Sequence, residues 1–242
     1  MRFAIVGLQR TGSSYLVNLL ATHPEIHCCG EIFNSGGIHL RWPEERGGRR
    51  AGRDIVNELR EVRARDPQEF LSRVLALDFG KPAIGFKIFP SHDPKTFEHI
   101  LDDRGIAKIV HSRDNVLARF ASLRAARATS DFVGSVEKPL VEFKAKRFAL
   151  FHREHVAFFD GLERRLASGR QRFHRSRFED FNDPVRMTAI LEFLSVAPAL
   201  PPVREPPPNR GSSDVLSRFS NPRIAEAYLQ EHDLMHWARE EI

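Results

Sequence analysis

The sequence predicts a three-layer α/β/α fold around a central parallel sheet, and three observations predict it. Short apolar runs rich in Val, Ile and Phe stand at 3–6, 83–88 and 107–110, which is how strands buried on both faces of a parallel sheet read. Helical patterns fall between and after them, as βαβ units require. The first strand also runs directly into a glycine-bearing turn, Gly7-Leu8-Gln9-Arg10-Thr11-Gly12-Ser13-Ser14, which opens a helical pattern.

Taken in order, the strand at 3–6 is followed by a helix over 13–21 and a second strand over 26–29. Five glycines between 35 and 53 predict a mobile loop of the kind from which lids are built. A helical stretch over 55–77, broken near Pro67, leads to the strand at 83–88. The strand at 107–110 precedes helices over 116–128, 140–166 and 185–194. The aromatic residues of 140–166, Phe143, Phe148, Phe151, Phe158 and Phe159, read as core. Prolines crowd the segment 197–212, after which Asn221-Pro222 gives the N-cap and first-turn signature of a last helix. The 242 residues fit one domain, 1–242, with no internal repeat.

Composition narrows the classes. Hydrophobic residues at 41% and charged residues at 29% belong to a globular chain with a full core. A net charge of +5 suits an anionic ligand, and suits nucleic acid or an acidic membrane surface almost as well. The basic residues lack interleaved aromatics in a recognisable RNA motif, and no helix-turn-helix signature stands out, so no nucleic-acid partner is expected. Cys28 and Cys29 are adjacent and match neither a metal-ligand pair nor a comfortable disulfide, which favours a reducing, cytoplasmic compartment. His23, His27 and His111 have no metal-ligand spacing with partners, so no metal is expected. The first apolar run is too short for a signal-peptide core, and no run reaches transmembrane length.

The turn at 7–14 sits where a phosphate-binding loop must, after a strand and before a helix. Its glycines let backbone amides converge on an anion, and the positive end of the helix adds to that field. This makes the predicted fold P-loop-like. Against the nucleoside-triphosphatase pattern GxxxxGK[ST], both glycines and the final hydroxyl are present, but Ser13 stands in place of the lysine that reaches β- and γ-phosphates. Cationic help comes instead from Arg10 inside the loop.

The stretch Gln9-Arg10-Thr11-Gly12-Ser13-Ser14-Tyr15 resembles the 5′-phosphosulfate loop of sulfotransferases that use 3′-phosphoadenosine 5′-phosphosulfate (PAPS), whose typical form is PKSGTTW. On that resemblance Arg10 replaces the lysine, Gly12 keeps the glycine, Ser13 and Ser14 replace the threonines, and Tyr15 the aromatic. Bacterial carbohydrate sulfotransferases often show such an RTGS form. The run His111-Ser112-Arg113-Asp114-Asn115 resembles the family's 3′-phosphate site, which implies that Arg113 and Ser122 grip the ribose 3′-phosphate. The usual spacing falls on Ala121, one residue before Ser122. The longer spacing is similar to the R-x-N-x-L-A-x-x-x-S pattern of bacterial members resembling those that modify nodulation factors. Arg210, in Asn209-Arg210-Gly211-Ser212, lies where the family's late phosphate contacts fall. Arg177-Phe178-Glu179-Asp180-Phe181 resembles a strand and turn that the family shares.

The resemblance implies a sulfuryl transfer from PAPS to an acceptor hydroxyl of a carbohydrate, glycolipid or small natural product, with PAPS as donor substrate and no metal. Such chemistry needs cations for the departing phosphate and a base for the acceptor. Arg10 is the candidate cation. Glu31, in Gly30-Glu31-Ile32-Phe33-Asn34, is the candidate base, since it follows a strand whose end faces the crevice and is similar to the GE-x-F element of bacterial members. Lys87 interrupts an otherwise apolar strand and, with His92 just beyond, is a candidate contact to acceptor or sulfate; His92 is the alternative base. A P-loop small-molecule kinase and a non-catalytic nucleotide- or nucleic-acid-binding protein are the competing readings.

Overall fold

Alternation along the first strand sets the layers. In β1 (Arg2–Gly7), Phe3 and Ile5 pack into one apolar cluster while Ala4 and Val6 pack into another on the opposite face. The structure is a computed structural model and describes residues 1–43, 48–77, 79–129, 138–198 and 213–240. Among these, β1 lies at the centre of a five-stranded parallel sheet, between β5 (Ala83–Ile88) and β6 (Ala107–Ser112). The outer strands are β2 (Ile26–Cys28) and β7 (Phe173–Arg177), in the order β2-β5-β1-β6-β7. A short antiparallel pair, β3 (Gly30–Glu31) with β4 (His39–Leu40), stands apart from the sheet.

Helices α1 (Ser13–Leu20) and α7 (Pro184–Phe193) cover the face carrying Phe3, Ile5 and Ile109. The other face is covered by α2 (Gly48–Arg65), α3 (Pro67–Ala76), α4 (Pro94–Asp102) and the second half of α6 (Ala145–Ser168). A third cluster joins α5 (Val116–Thr129), α8 (Pro222–Glu231) and the start of α6 through Phe120, Phe143, Phe148, Phe219 and Trp237. This is the expected three-layer α/β/α, P-loop-like fold. The chain builds β2 and β5 on one side of β1, then crosses to β6 and β7 on the other, so the strand order reverses at β1. The carboxyl ends of strands at such a reversal open a crevice.

Three expectations change. The glycine-rich stretch 35–53 is not one loop: His39–Leu40 pairs with Gly30–Glu31, and α2 begins at Gly48. Packing explains one of its glycines, because a Cβ on Gly52 would lie 2.7 Å from the Trp42 Cβ. The helix expected over 140–166 begins only at Ala145, since Val141 bridges to Phe219 and the Phe143 N–H donates to Asn221 Oδ1 at 2.7 Å. Asn221 is therefore used between segments rather than as a side-chain cap of α8, where Pro222 still opens the first turn. The break near Pro67 is present, with Asp66 accepting from the Gln68 and Glu69 amides. The helix α4 was not anticipated, although Asp93-Pro94 carries the same signature as Asn221-Pro222.

Candidate active site

The candidate phosphate loop leaves β1 and enters α1 through two left-handed residues, Arg10 at φ 65° and Gly12 at φ 86°. Gly12 occupies the N-cap position and no side chain among the described residues caps the helix there; the Tyr15 N–H turns back to the Gly12 carbonyl at 2.8 Å, which leaves the Ser13 and Ser14 amides as the ones able to meet an anion. A non-glycine residue at φ 65° is strained and persists where its surroundings over-determine it. Here Arg119 Nε donates to the Gln9 carbonyl at 3.0 Å, Arg113 Nη1 to the Arg10 carbonyl at 3.1 Å, and Arg10 Nε to Ser122 Oγ at 2.9 Å. His111 Nε2 meets the Thr11 carbonyl at 2.9 Å. Burial lowers the His111 pKa to about 4, so the ring is neutral, donates to Thr11 and accepts from Ser176 at Nδ1 (3.1 Å). Thr11 is fully buried and turns its hydroxyl back to the Leu8 carbonyl.

Substituting Gly12 tests how much the loop depends on its backbone. A Cβ there would lie 2.2 Å from Phe178 Cδ2, in a conformation that L side chains rarely adopt. Gly12→Ala is expected to destabilise the protein by about 2–4 kcal/mol, combining left-handed strain with overpacking. Chemical denaturation of the variant reads this directly; a loss below about 0.5 kcal/mol, the level of an ordinary surface substitution, would show that the loop repacks freely.

The second candidate anion site, around Arg113, lies beside the loop at the end of β6. Arg113 stacks over the Phe178 ring at 4.3 Å and is 7% exposed. Its turn is held from behind by Glu179, whose Oε1 accepts from the Asp114 and Asn115 amides at 3.0 and 3.2 Å. Ser122 faces the loop from α5, one turn beyond Arg119, while Ala121 is buried in the third cluster. Arg119 itself is buried, stacks over Phe151, and donates to a neutral His155, whose pKa burial depresses to about 3. Arg113 is not open: its Nε donates to Glu240 Oε1 at 2.7 Å, its Nη2 donates to Oε2, and Arg218 Nη2 reaches the same oxygen at 3.4 Å.

The third part is a carboxylate and an ammonium. Lys87 projects from β5 with its side chain 4% exposed, contacts Glu31 Oε1 at 2.6 Å and donates to Ser14 Oγ at 2.8 Å. Asn34 Nδ2 donates to Glu31 Oε2 at 2.6 Å, and His92 Nε2 lies 3.5 Å from that oxygen. Burial raises the Glu31 carboxyl, but the Lys87 charge and the hydrogen bonds from Lys87 and Asn34 outweigh it and hold the group below its usual range. Burial lowers the Lys87 ammonium, opposed by Glu31. His92 is also lowered by burial, and its Nδ1 is buried with no hydrogen-bond partner among the described residues. A carboxylate offers about four lone-pair sites, so Glu31 keeps acceptor capacity beyond Lys87 and Asn34.

The candidate residues therefore form one connected arrangement. Hydrogen bonds run from Glu31 to Lys87 and Ser14, and the loop carries them on to Arg10, Ser122 and Arg113. Ser13 is buried at the start of α1, and Tyr15 packs edge-on against Phe181 at 4.8 Å. Arg210 lies outside the described residues. Sequence reasoning did not single out Arg119, Asn34, Glu179, Arg218 or Glu240. The R-x-N-x-L-A-x-x-x-S run contains Arg119, but nothing local marks Glu240. Among the described residues, no group of three or more His, Cys, Asp or Glu side chains is arranged to hold a metal ion, and no helix is long and apolar enough to cross a membrane.

A glycine-bearing loop at the carboxyl end of the central strand, where the strand order reverses, defines an α/β protein of the P-loop-like class. The profile of the Sulfotransferase family matches residues 3–198, and the chain belongs to that family. A crystal structure of a sulfotransferase from Alicyclobacillus acidocaldarius is similar over 98% of this chain and 98% of its own, at 19% identity and a TM-score of 0.44. No curated protein matches the chain.

Proposed function

We propose that the chain moves a sulfuryl group from PAPS to an acceptor hydroxyl, with Glu31 as general base. The observation that carries this reading is the Glu31–Lys87 pair bonded to the phosphate loop through Ser14. The donor's 5′-phosphosulfate lies on the amides of 10–14, with Arg10 beside it, and the 3′-phosphate lies at Arg113 and Ser122. Glu31 takes the acceptor's proton as the acceptor oxygen forms its bond to sulfur. The bond between sulfur and the bridging phosphate oxygen breaks, and the departing phosphate keeps the electron pair. An ammonium has three donors; with two of them on Glu31 and Ser14, the third of Lys87 meets charge developing on the sulfuryl or bridging oxygen. The acceptor class is a carbohydrate, glycolipid or small natural-product hydroxyl, by resemblance to the bacterial carbohydrate branch. A cytoplasmic site of action is consistent with the buried free thiols of Cys28 and Cys29.

The test is calorimetric titration with 3′-phosphoadenosine 5′-phosphate, with ATP as the comparison and magnesium omitted. Selective binding is expected. Arg113→Ala should weaken it about 10- to 100-fold, the scale of charge-assisted hydrogen bonds worth about 1.5–3 kcal/mol. Preference for ATP with magnesium would overturn the reading in favour of a kinase.

A further inference from the structure

Arg113 offers its fork, Nε and Nη2, to the carboxylate of Glu240, and Arg218 adds a second guanidinium at 3.4 Å from Oε2. All three side chains are withdrawn from water: Arg113 is 9%, Glu240 5% and Arg218 15% exposed. The segment leading to Glu240 is fixed by its backbone. Glu240 N donates to the Ser213 carbonyl at 2.9 Å, Arg239 bridges to Asp214, and Asn115 Nδ2 donates to the Trp237 and Arg239 carbonyls at 3.1 and 3.0 Å. Asn115 is two residues from Arg113, so the carboxylate is delivered to the fork by the same turn that presents it. A carboxylate edge and a phosphate edge take the same bidentate geometry on a guanidinium. A phosphate therefore reaches the Arg113 fork only as Glu240 leaves it.

We propose that Arg113 and Arg218 form a seat for a phosphate monoester and that Glu240 is its internal occupant, exchanged for the ligand's phosphate. The proposal rests on the reading of Arg113 as the 3′-phosphate site, and adds Arg218 as a ligand-binding residue and Glu240 as the group that sets affinity there. A phosphate monoester near neutral pH carries about −1.5 to −2 charge, more than the single charge it displaces, so the exchange favours a monoester over singly charged anions. A nucleotide without a 3′-phosphate binds with Glu240 still in place.

The exchange is tested by titrating 3′-phosphoadenosine 5′-phosphate and adenosine 5′-phosphate into wild type, Glu240→Gln, Glu240→Ala and Arg218→Ala. Both Glu240 variants should bind the bisphosphate at least about tenfold tighter, the scale on which a competing charge-assisted hydrogen bond acts, with adenosine 5′-phosphate little changed. Arg218→Ala should weaken the bisphosphate by a similar factor. Glu240→Gln is near-isosteric and keeps an acceptor for Arg113, so it reports even if Glu240→Ala does not fold. Unchanged or weaker bisphosphate binding in Glu240→Gln, alongside a wild type that prefers the bisphosphate, overturns the proposal alone and makes Glu240 an orienting partner of Arg113. If neither wild type nor Glu240→Gln distinguishes the two nucleotides, the 3′-phosphate reading of Arg113 falls, and the proposal with it.

Discussion

Glu31→Gln is expected to lower turnover in a transfer assay by about 10²- to 10⁴-fold, the range for loss of a general base, while affinity for 3′-phosphoadenosine 5′-phosphate stays within about threefold, an effect too small to signal a lost charge-assisted hydrogen bond. Glutamine keeps the shape and can still accept from Lys87, but it has no basic oxygen. Donor affinity should hold because Glu31 reaches the loop only through Lys87 and Ser14. The substitution also leaves a buried ammonium without its counter-charge. Removing one partner of a fully buried pair costs about 3–5 kcal/mol; Glu31 is 23% exposed, so a smaller loss of about 1–3 kcal/mol is expected. Turnover and unfolding are therefore measured on the same preparations. A variant that is folded, binds the nucleotide and turns over normally would remove Glu31 as the base and leave His92 in its place.

Lys87→Met should have the second largest effect and a distinct signature. It replaces a buried ammonium by a neutral side chain of similar length, and turnover is expected to fall about 10²- to 10³-fold through lost stabilisation of charge in the transition state. The pH profile separates this role from a structural one. In wild type burial raises the Glu31 carboxyl, but the Lys87 charge and the hydrogen bonds from Lys87 and Asn34 together outweigh it, so Glu31 is deprotonated to lower pH than an ordinary carboxylate. Without Lys87 burial is opposed only by the weaker contributions of Asn34 and His92, the Glu31 pKa rises, and the acid limb of kcat/KM moves to higher pH. The linked stability has a definite sign: with its folded pKa lowered, Glu31 contributes stability present above its unfolded pKa and lost as pH falls through the folded value. Lys87→Met should diminish or reverse that acid-side loss. An acid limb that does not move would mean that the titrating group in the profile is not Glu31.

The parts of the molecule legible in the sequence are those that local chemistry determines. The loop at 7–14 is marked by glycines between an apolar run and a helix, and Arg113 by its place at a strand end. Ser122, one residue later than the usual spacing, is the residue turned toward Arg10, because Ala121 is 2% exposed in the core. Glu31 and Lys87 were visible separately, as a polar residue after a strand and a charge within one, while their contact depends on β5 lying beside β2 and β1. The glycines between 35 and 53 misled, because glycine marks both a loop and a close contact, and Trp42 against Gly52 is the second kind. Glu240 was illegible for a different reason. It meets Arg113 across 127 residues of chain, and one glutamate among others near 240 carries no periodicity or spacing that selects it.

The backing of the loop at 7–14 shapes the field it presents. The carbonyls of Gln9, Arg10 and Thr11 are each bonded from the protein side, by Arg119, Arg113 and His111. In a trans peptide the N–H opposes the C=O across one plane, so three successive dipoles are turned with their positive ends at residues 10, 11 and 12 toward the mouth. Two of the three groups behind them are guanidiniums buried out of reach of mobile ions, where screening is weak. With Arg113 paired to Glu240, it is chiefly the Arg119 charge that the peptide groups relay outward. On the proposed function the loop would thereby keep much of its attraction for an anion in concentrated salt, with Arg119 acting from behind the loop without touching the ligand.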